Sequence, residues 1–211
     1  MDFETNLNEI RDYFHHKLTS YGASPQGADW NSDEAQQTRF DQLLKIIPDP
    51  HQSFSLLDYG CGYAAVLDYI EKKGYACNRF IGYDILDSMV IKAQQLHPNH
   101  PYAIFTTSID EIPCVDYAIA SGVFNIRLQA GYEEWTSYTL QCLSKLNQLT
   151  HKGFAANFLT SYSDPERMRP DLYYANPCFL FDYCKRNFSK DVALLHDYHL
   201  YDFTILVRKF A

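Results

Sequence analysis

The sequence predicts a mixed α/β fold: three layers, with a mostly parallel seven-stranded sheet covered on both faces, an antiparallel last strand, and helices ahead of the sheet at the N-terminus. Three observations predict it. Short apolar runs alternate with amphipathic helical stretches between residues 54 and 159, and repeated strand-helix-strand units require a parallel sheet with both faces covered. The first of these runs passes through two glycines straight into a helix. The last two runs, 191–196 and 203–208, have only six residues between them. No crossover helix fits in that space, so the pair forms a hairpin and the final strand runs antiparallel.

Residues 2–18 read as a helix, because Phe3, Leu7, Ile10, Phe14 and Leu18 recur at three- and four-residue spacings, and Gly22 and Pro25 break the chain after them. Ser32 is placed to cap a second helix with Ala35, Phe40, Leu43, Leu44 and Ile47 on its apolar stripe, ended by Pro48 and Pro50. Strands come next at 54–58, 79–84, 102–107, 115–120 and 153–159, with helices at 63–73, 87–96 and 132–149. Gly74 stops the first of these helices and Pro98 the second.

A chain of 211 residues is long enough for one sizeable core. We read it as a single domain, with residues 1–50 a helical cap and 51–211 the sheet-bearing core. Hydrophobic residues at 46% and charged residues at 21% are ordinary for a folded globular chain, and no apolar run is long enough to span a bilayer. The first residues carry no basic stretch followed by an apolar one, so the expected compartment is the cytosol. Six cysteines, with no C-x-x-C pair, read as small core residues and predict no metal site. A net charge of −8 argues against a large nucleic-acid footprint, which needs clustered Lys and Arg.

The stretch Leu56-Leu57-Asp58-Tyr59-Gly60-Cys61-Gly62-Tyr63-Ala64-Ala65 carries the chemistry. It is a strand ending in an acid, then a glycine turn, then a helix. Side chains at Gly60 or Gly62 would keep the backbone from turning sharply and from closing on a ligand laid across the strand ends, where helix N–H groups also point. The pattern Gly60-x-Gly62-x-x-Ala65 formally matches a dinucleotide site. Asp58 decides otherwise, because a carboxylate there repels a pyrophosphate but suits the ammonium and sulfonium of S-adenosylmethionine.

With that acid in place, the chain from about residue 30 to 211 resembles the class I, Rossmann-like methyltransferases, whose first motif is an acid-x-Gly-x-Gly turn, usually with a third glycine where Ala64 stands. The resemblance implies S-adenosylmethionine as cofactor, with Asp58, Gly60, Cys61 and Gly62 around it. It also implies Asp84 and Ile85 at the ribose and Ser108 and Ile109 beside the adenine, with Asp110 a near alternative. Backbone contacts from Ser121 and Gly122 are expected at the methionine end. Trp30 and Arg39 are candidates for its carboxylate, and Tyr13 and Tyr21 for a lid over the sulfonium. The Asn/Asp-Pro-Pro-Tyr/Phe signature of one nitrogen-methylating subclass is missing from Ser121-Gly122-Val123-Phe124-Asn125.

The acceptor belongs at the carboxyl ends of the strands, where Phe124–Arg127, Thr160–Ser163 and His196–His199 converge. By titration range His196 and His199 are the candidate general bases. The expected acceptor is a small molecule, methylated on oxygen or nitrogen. A nicotinamide-dependent reductase and a non-catalytic nucleotide-binding module stay open as alternatives.

Overall fold

The computed structural model describes residues 3–28 and 32–209. Two helices lead into the sheet, α1 (Phe3–Tyr21) and α2 (Asp33–Leu44). Ser32 caps α2 as predicted, its hydroxyl accepting from the Ala35 amide at 3.1 Å. The alternating region gives β1 (Phe54–Tyr59), α3 (Ala65–Lys72), β2 (Cys77–Tyr83), α4 (Asp87–Leu96), β3 (Ala103–Thr106), β4 (Val115–Ala120), α5 (Tyr132–Gln148) and β5 (Thr150–Thr160). The final hairpin is β7 (Asp191–Leu195) and β8 (Asp202–Arg208).

The sheet order is β3-β2-β1-β4-β5-β8-β7. All pairings through β5 are parallel, whereas β8 inserts antiparallel between β5 and β7. An eighth strand, β6 (Tyr174–Ala175), adds two residues alongside β5. The segment between Thr160 and Asp191 also holds α6 (Pro177–Asn187), which the apolar spacing did not reveal. Its start is nonetheless written locally: Asn176 accepts from the Phe179 amide at 3.1 Å, and Pro177 takes a first-turn position where its missing N–H costs nothing.

Strand side chains alternate between two cores. Leu57, Ala118 and Ala156 join a cluster containing Trp135, Leu143 and Phe158. Their neighbours Leu56, Ile119 and Ala155 pack in a second cluster with Phe40, Leu43 and Leu67. A period of two with both faces apolar is what a sheet sandwiched between helices requires. Strand order reverses between β1 and β4, which opens a crevice at the carboxyl ends of the strands.

Candidate active site

The crevice is built by the turn after β1. Both Gly60 and Cys61 donate their amides to the Tyr83 carbonyl, at 2.7 and 2.9 Å, which draws the turn across the end of β2. Gly60 has φ +80°, and a Cβ there would stand 2.5 Å from Val123 Cγ2, so this glycine lets the loop after β4 close on the turn. Gly62 has φ +54° with nothing within 4 Å of where a Cβ would sit; it opens onto the cavity. Ala64 adopts φ +69° at the N-terminus of α3, the left-handed conformation that the family's usual third glycine takes at little cost.

The resulting cavity has a volume of about 630 Å³, within the range of small-ligand sites. Asp58, Gly60, Cys61, Gly62, Asp84 and Ile85 line it, as do Ser121, Gly122 and Arg39. Asp58 is 1% exposed, and neither of its carboxylate oxygens has a hydrogen-bond partner among the described residues. Burial, reinforced by the nearby Asp84 carboxylate, pushes its pKa up to about 8. Asp84 is better provided for. Its two oxygens accept from the Gly62 amide at 2.8 Å and the Leu86 amide at 3.0 Å, so burial raises it only to about 6 against the pull of these bonds. The Ser121 hydroxyl is buried without a partner among the described residues.

Other expected positions depart from this centre. Ser108, Ile109 and Asp110 are not among the residues lining the cavity; Ile109 packs against the core instead. Arg39 lines the cavity, but its Nε donates to Asp202 and its Nη1 to the Ala35 carbonyl, so its charge is answered from within the protein. Of the two histidines, His199 lines the cavity. His196 does not, and packs its ring against Phe203 and Tyr162. Trp30 lies outside the described residues. Each of the three loops expected at the acceptor end does contribute a lining residue, including Asn125, Ser163 and His199.

Two walls differ from the sequence reading, which expected an N-terminal helical cap but placed Tyr13 and Tyr21 in it. Leu7, Ile10 and Phe14 of α1 cover the cavity; the stripe is legible as a helix face, but not what it covers. Tyr21 is exposed, and neither it nor Tyr13 is among the residues lining the cavity. Arg167 and Arg169, from the segment between β5 and β6, stand at its margin. Arg169 is paired with Asp171, and Arg167 lies over the Tyr201 ring at 5.6 Å. Among the described residues no group of His, Cys, Asp or Glu is arranged to hold a metal ion, and no helix is long and apolar enough to cross a membrane.

An order-reversing parallel sheet with an inserted antiparallel strand and an acid-lined glycine turn defines a Rossmann-like protein of the methyltransferase type. No family model matches the chain. Its sequence is 48% identical over 156 residues, 74% of this chain and 93% of the relative, to a Mycobacterium tuberculosis protein whose name calls it a methyltransferase and gives no acceptor. The chain belongs to the methyltransferase family of that relative. The fold is shared with solved structures at low identity. One is the Burkholderia thailandensis 1,6-didemethyltoxoflavin N1-methyltransferase, with a TM-score of 0.69 at 16% identity over 100% of this chain and 92% of that one. Another is human N-acetylserotonin methyltransferase, with a TM-score of 0.68 at 15% identity over 100% of this chain and 61% of that one.

Proposed function

We propose that this methyltransferase binds S-adenosylmethionine at the β1 turn and methylates an oxygen or nitrogen of a small-molecule acceptor. One observation carries the cofactor site: a fully buried carboxylate, Asp58, has two oxygens without a partner among the described residues. Leaving such a group unanswered costs several kcal/mol, and a ligand ammonium answers it. The other residues fit the same ligand. Asp84 spends two of about four acceptor sites on backbone amides and keeps the rest for ribose hydroxyls. Gly62 leaves open space for the ligand, while Cys61 and Ile85 flank it and Ser121 and Gly122 border its methionine end.

When bound, the cofactor supplies a sulfonium-activated methyl carbon open to in-line attack. The protein's part is then to align and to exclude water. Oriented placement can supply about 7–11 kcal/mol of barrier reduction. The α1 face of Leu7, Ile10 and Phe14 keeps the site dry, which makes residues 1–50 the cap of a single catalytic domain. For a hydroxyl acceptor His199 is the base within the cavity, and its partner in the loop, His196, has no such role; an amine acceptor needs only desolvation.

A small acceptor is supported by the cavity volume and by the apolar roof. The Burkholderia enzyme that shares the fold was crystallised with 1,6-didemethyltoxoflavin and S-adenosylhomocysteine, which supports the reading. All six cysteines are free thiols, which suits a reducing compartment such as the cytosol. Titration calorimetry with S-adenosylmethionine, S-adenosylhomocysteine, NADH and NADPH tests the reading. The two adenosyl ligands are expected to bind; a chain that bound NADH and neither of them would be a reductase. Labelled methyl donor incubated with a metabolite pool then identifies the acceptor.

A further inference from the structure

A buried polar chain runs behind the cavity and ends on the loop after β4. Asn157, in β5, is 0% exposed. Its Oδ1 accepts from the Gly122 amide at 2.7 Å, and its Nδ2 donates to Asp202 Oδ2 at 3.1 Å. The same Asp202 oxygen accepts from Arg39 Nε. Four elements, α2, β8, β5 and the loop after β4, are thus joined through one side-chain amide. The amide suits both ends, because Gly122 offers a donor and Asp202 an acceptor, and asparagine supplies the matching acceptor and donor on two separate atoms. The partners also fix which end of the amide is oxygen.

Gly122 sits where the register of the sheet brings the β4 loop beside the acid. Asp58 is paired with Ile119 across β1 and β4, three residues before Gly122, and Val123 packs on the Gly60 turn. With its N–H committed to Asn157, Gly122 has no amide proton to offer the ligand's carboxylate, so the group of the amino acid end that suits this side of the loop is the ammonium.

We infer that Asn157 is a positioning residue: by bridging the Arg39–Asp202 ion pair to the Gly122 amide, it fixes the loop that borders the aminobutyrate end of the methyl donor. This rests on the cofactor reading above and goes beyond it, since Asn157 does not line the cavity. The role is therefore selective. The adenosine half of the ligand lies against β2 and the glycine turn and gains nothing from Asn157.

The test compares calorimetric affinities for S-adenosylhomocysteine and for adenosine, which lacks the amino acid end. In Asn157→Leu and in Asn157→Asp, S-adenosylhomocysteine is expected to weaken about tenfold or more, the scale of one lost charge-assisted hydrogen bond, with adenosine unchanged. Asn157→Asp sets a second carboxylate against Asp202 in place of the amide donor that reaches it. If Asn157→Leu does not fold, Asn157→Asp decides. Parallel loss of both ligands, or no loss of either, overturns the inference. A wild-type chain that binds adenosine and S-adenosylhomocysteine equally also overturns it, and one that binds neither overturns the methyl-donor reading itself.

Discussion

Asp58 at the end of β1 and Asp202 at the start of β8 border the same cavity, and each is 1% exposed. They are treated differently. Asp202 receives Arg39 and Asn157 on Oδ2, and although its Oδ1 has no partner among the described residues, its charge is paired inside the protein. Asp58 receives nothing from the described residues, and its pKa rises to about 8. A carboxylate kept buried beside a cation belongs to the architecture. One kept buried without a cation belongs to whatever enters the cavity.

The largest expected effect breaks the contrast at its paired end. Asp202→Ala removes the carboxylate that receives the buried Arg39 guanidinium and should destabilise the chain by about 3–5 kcal/mol, read as a lower midpoint in urea unfolding. Asp58→Asn has the opposite logic, since it replaces an unanswered carboxyl by an uncharged group of the same shape. The ligand-free stability should stay within about 1 kcal/mol of wild type or rise, while affinity for S-adenosylmethionine falls. Equal destabilisation by the two variants would falsify the distinction.

Much of this contrast was legible in the sequence at one end and hidden at the other. Asp58, the glycine turn and Asp84 are local: a strand, a turn and the next strand supply them within 27 positions, and each has a recognisable residue type. Arg39 and Asp202 are 163 positions apart, and nothing in either segment announces the other. An arginine in the middle of α2 therefore reads equally well as a ligand for the donor's carboxylate. Asn157 lies inside an apolar run, and nothing in that run marks its partners. The α1 stripe shows the same division, with periodicity giving the face but not the cavity beneath it. The histidines differ by three positions, yet only His199 reaches the cavity, because the hairpin turn gives it φ +55° whereas His196 packs on Phe203.

A middle-sized effect is the pH dependence that the unpaired acid imposes. The folded-state pKa of Asp58 lies above its ordinary value of 3.8, so the fold binds this proton better than the unfolded chain does. That contribution is fully present below about pH 3.8 and is lost progressively as pH rises toward about 8. Asp84 adds a smaller loss of the same sign, complete by about pH 6. A cationic ligand reverses the sense, because it needs the ionised form. Affinity for S-adenosylmethionine should therefore rise with pH up to about 8, by at most about tenfold per unit. Calorimetry across that interval checks this, and Asp58→Asn should flatten the profile.

The smallest effect separates ligand from fold within the turn itself. Gly62→Ala puts a methyl group into open cavity at φ +54°, so it should cost roughly 1 kcal/mol of backbone strain and weaken the donor by occupying its space. Ala64→Gly works in reverse. Ala64 already bears a left-handed conformation at φ +69° while fully buried, and glycine would relieve about 1–2 kcal/mol of strain. Against that stand about 0.8 kcal/mol for the lost buried methyl and roughly 0.5–1 kcal/mol of added unfolded-chain entropy. The terms nearly cancel, so the unfolding midpoint and the donor affinity should both stay close to wild type. A large loss of affinity in Ala64→Gly would mean that the methyl group of Ala64, behind the turn, helps to hold the acid beside it in place.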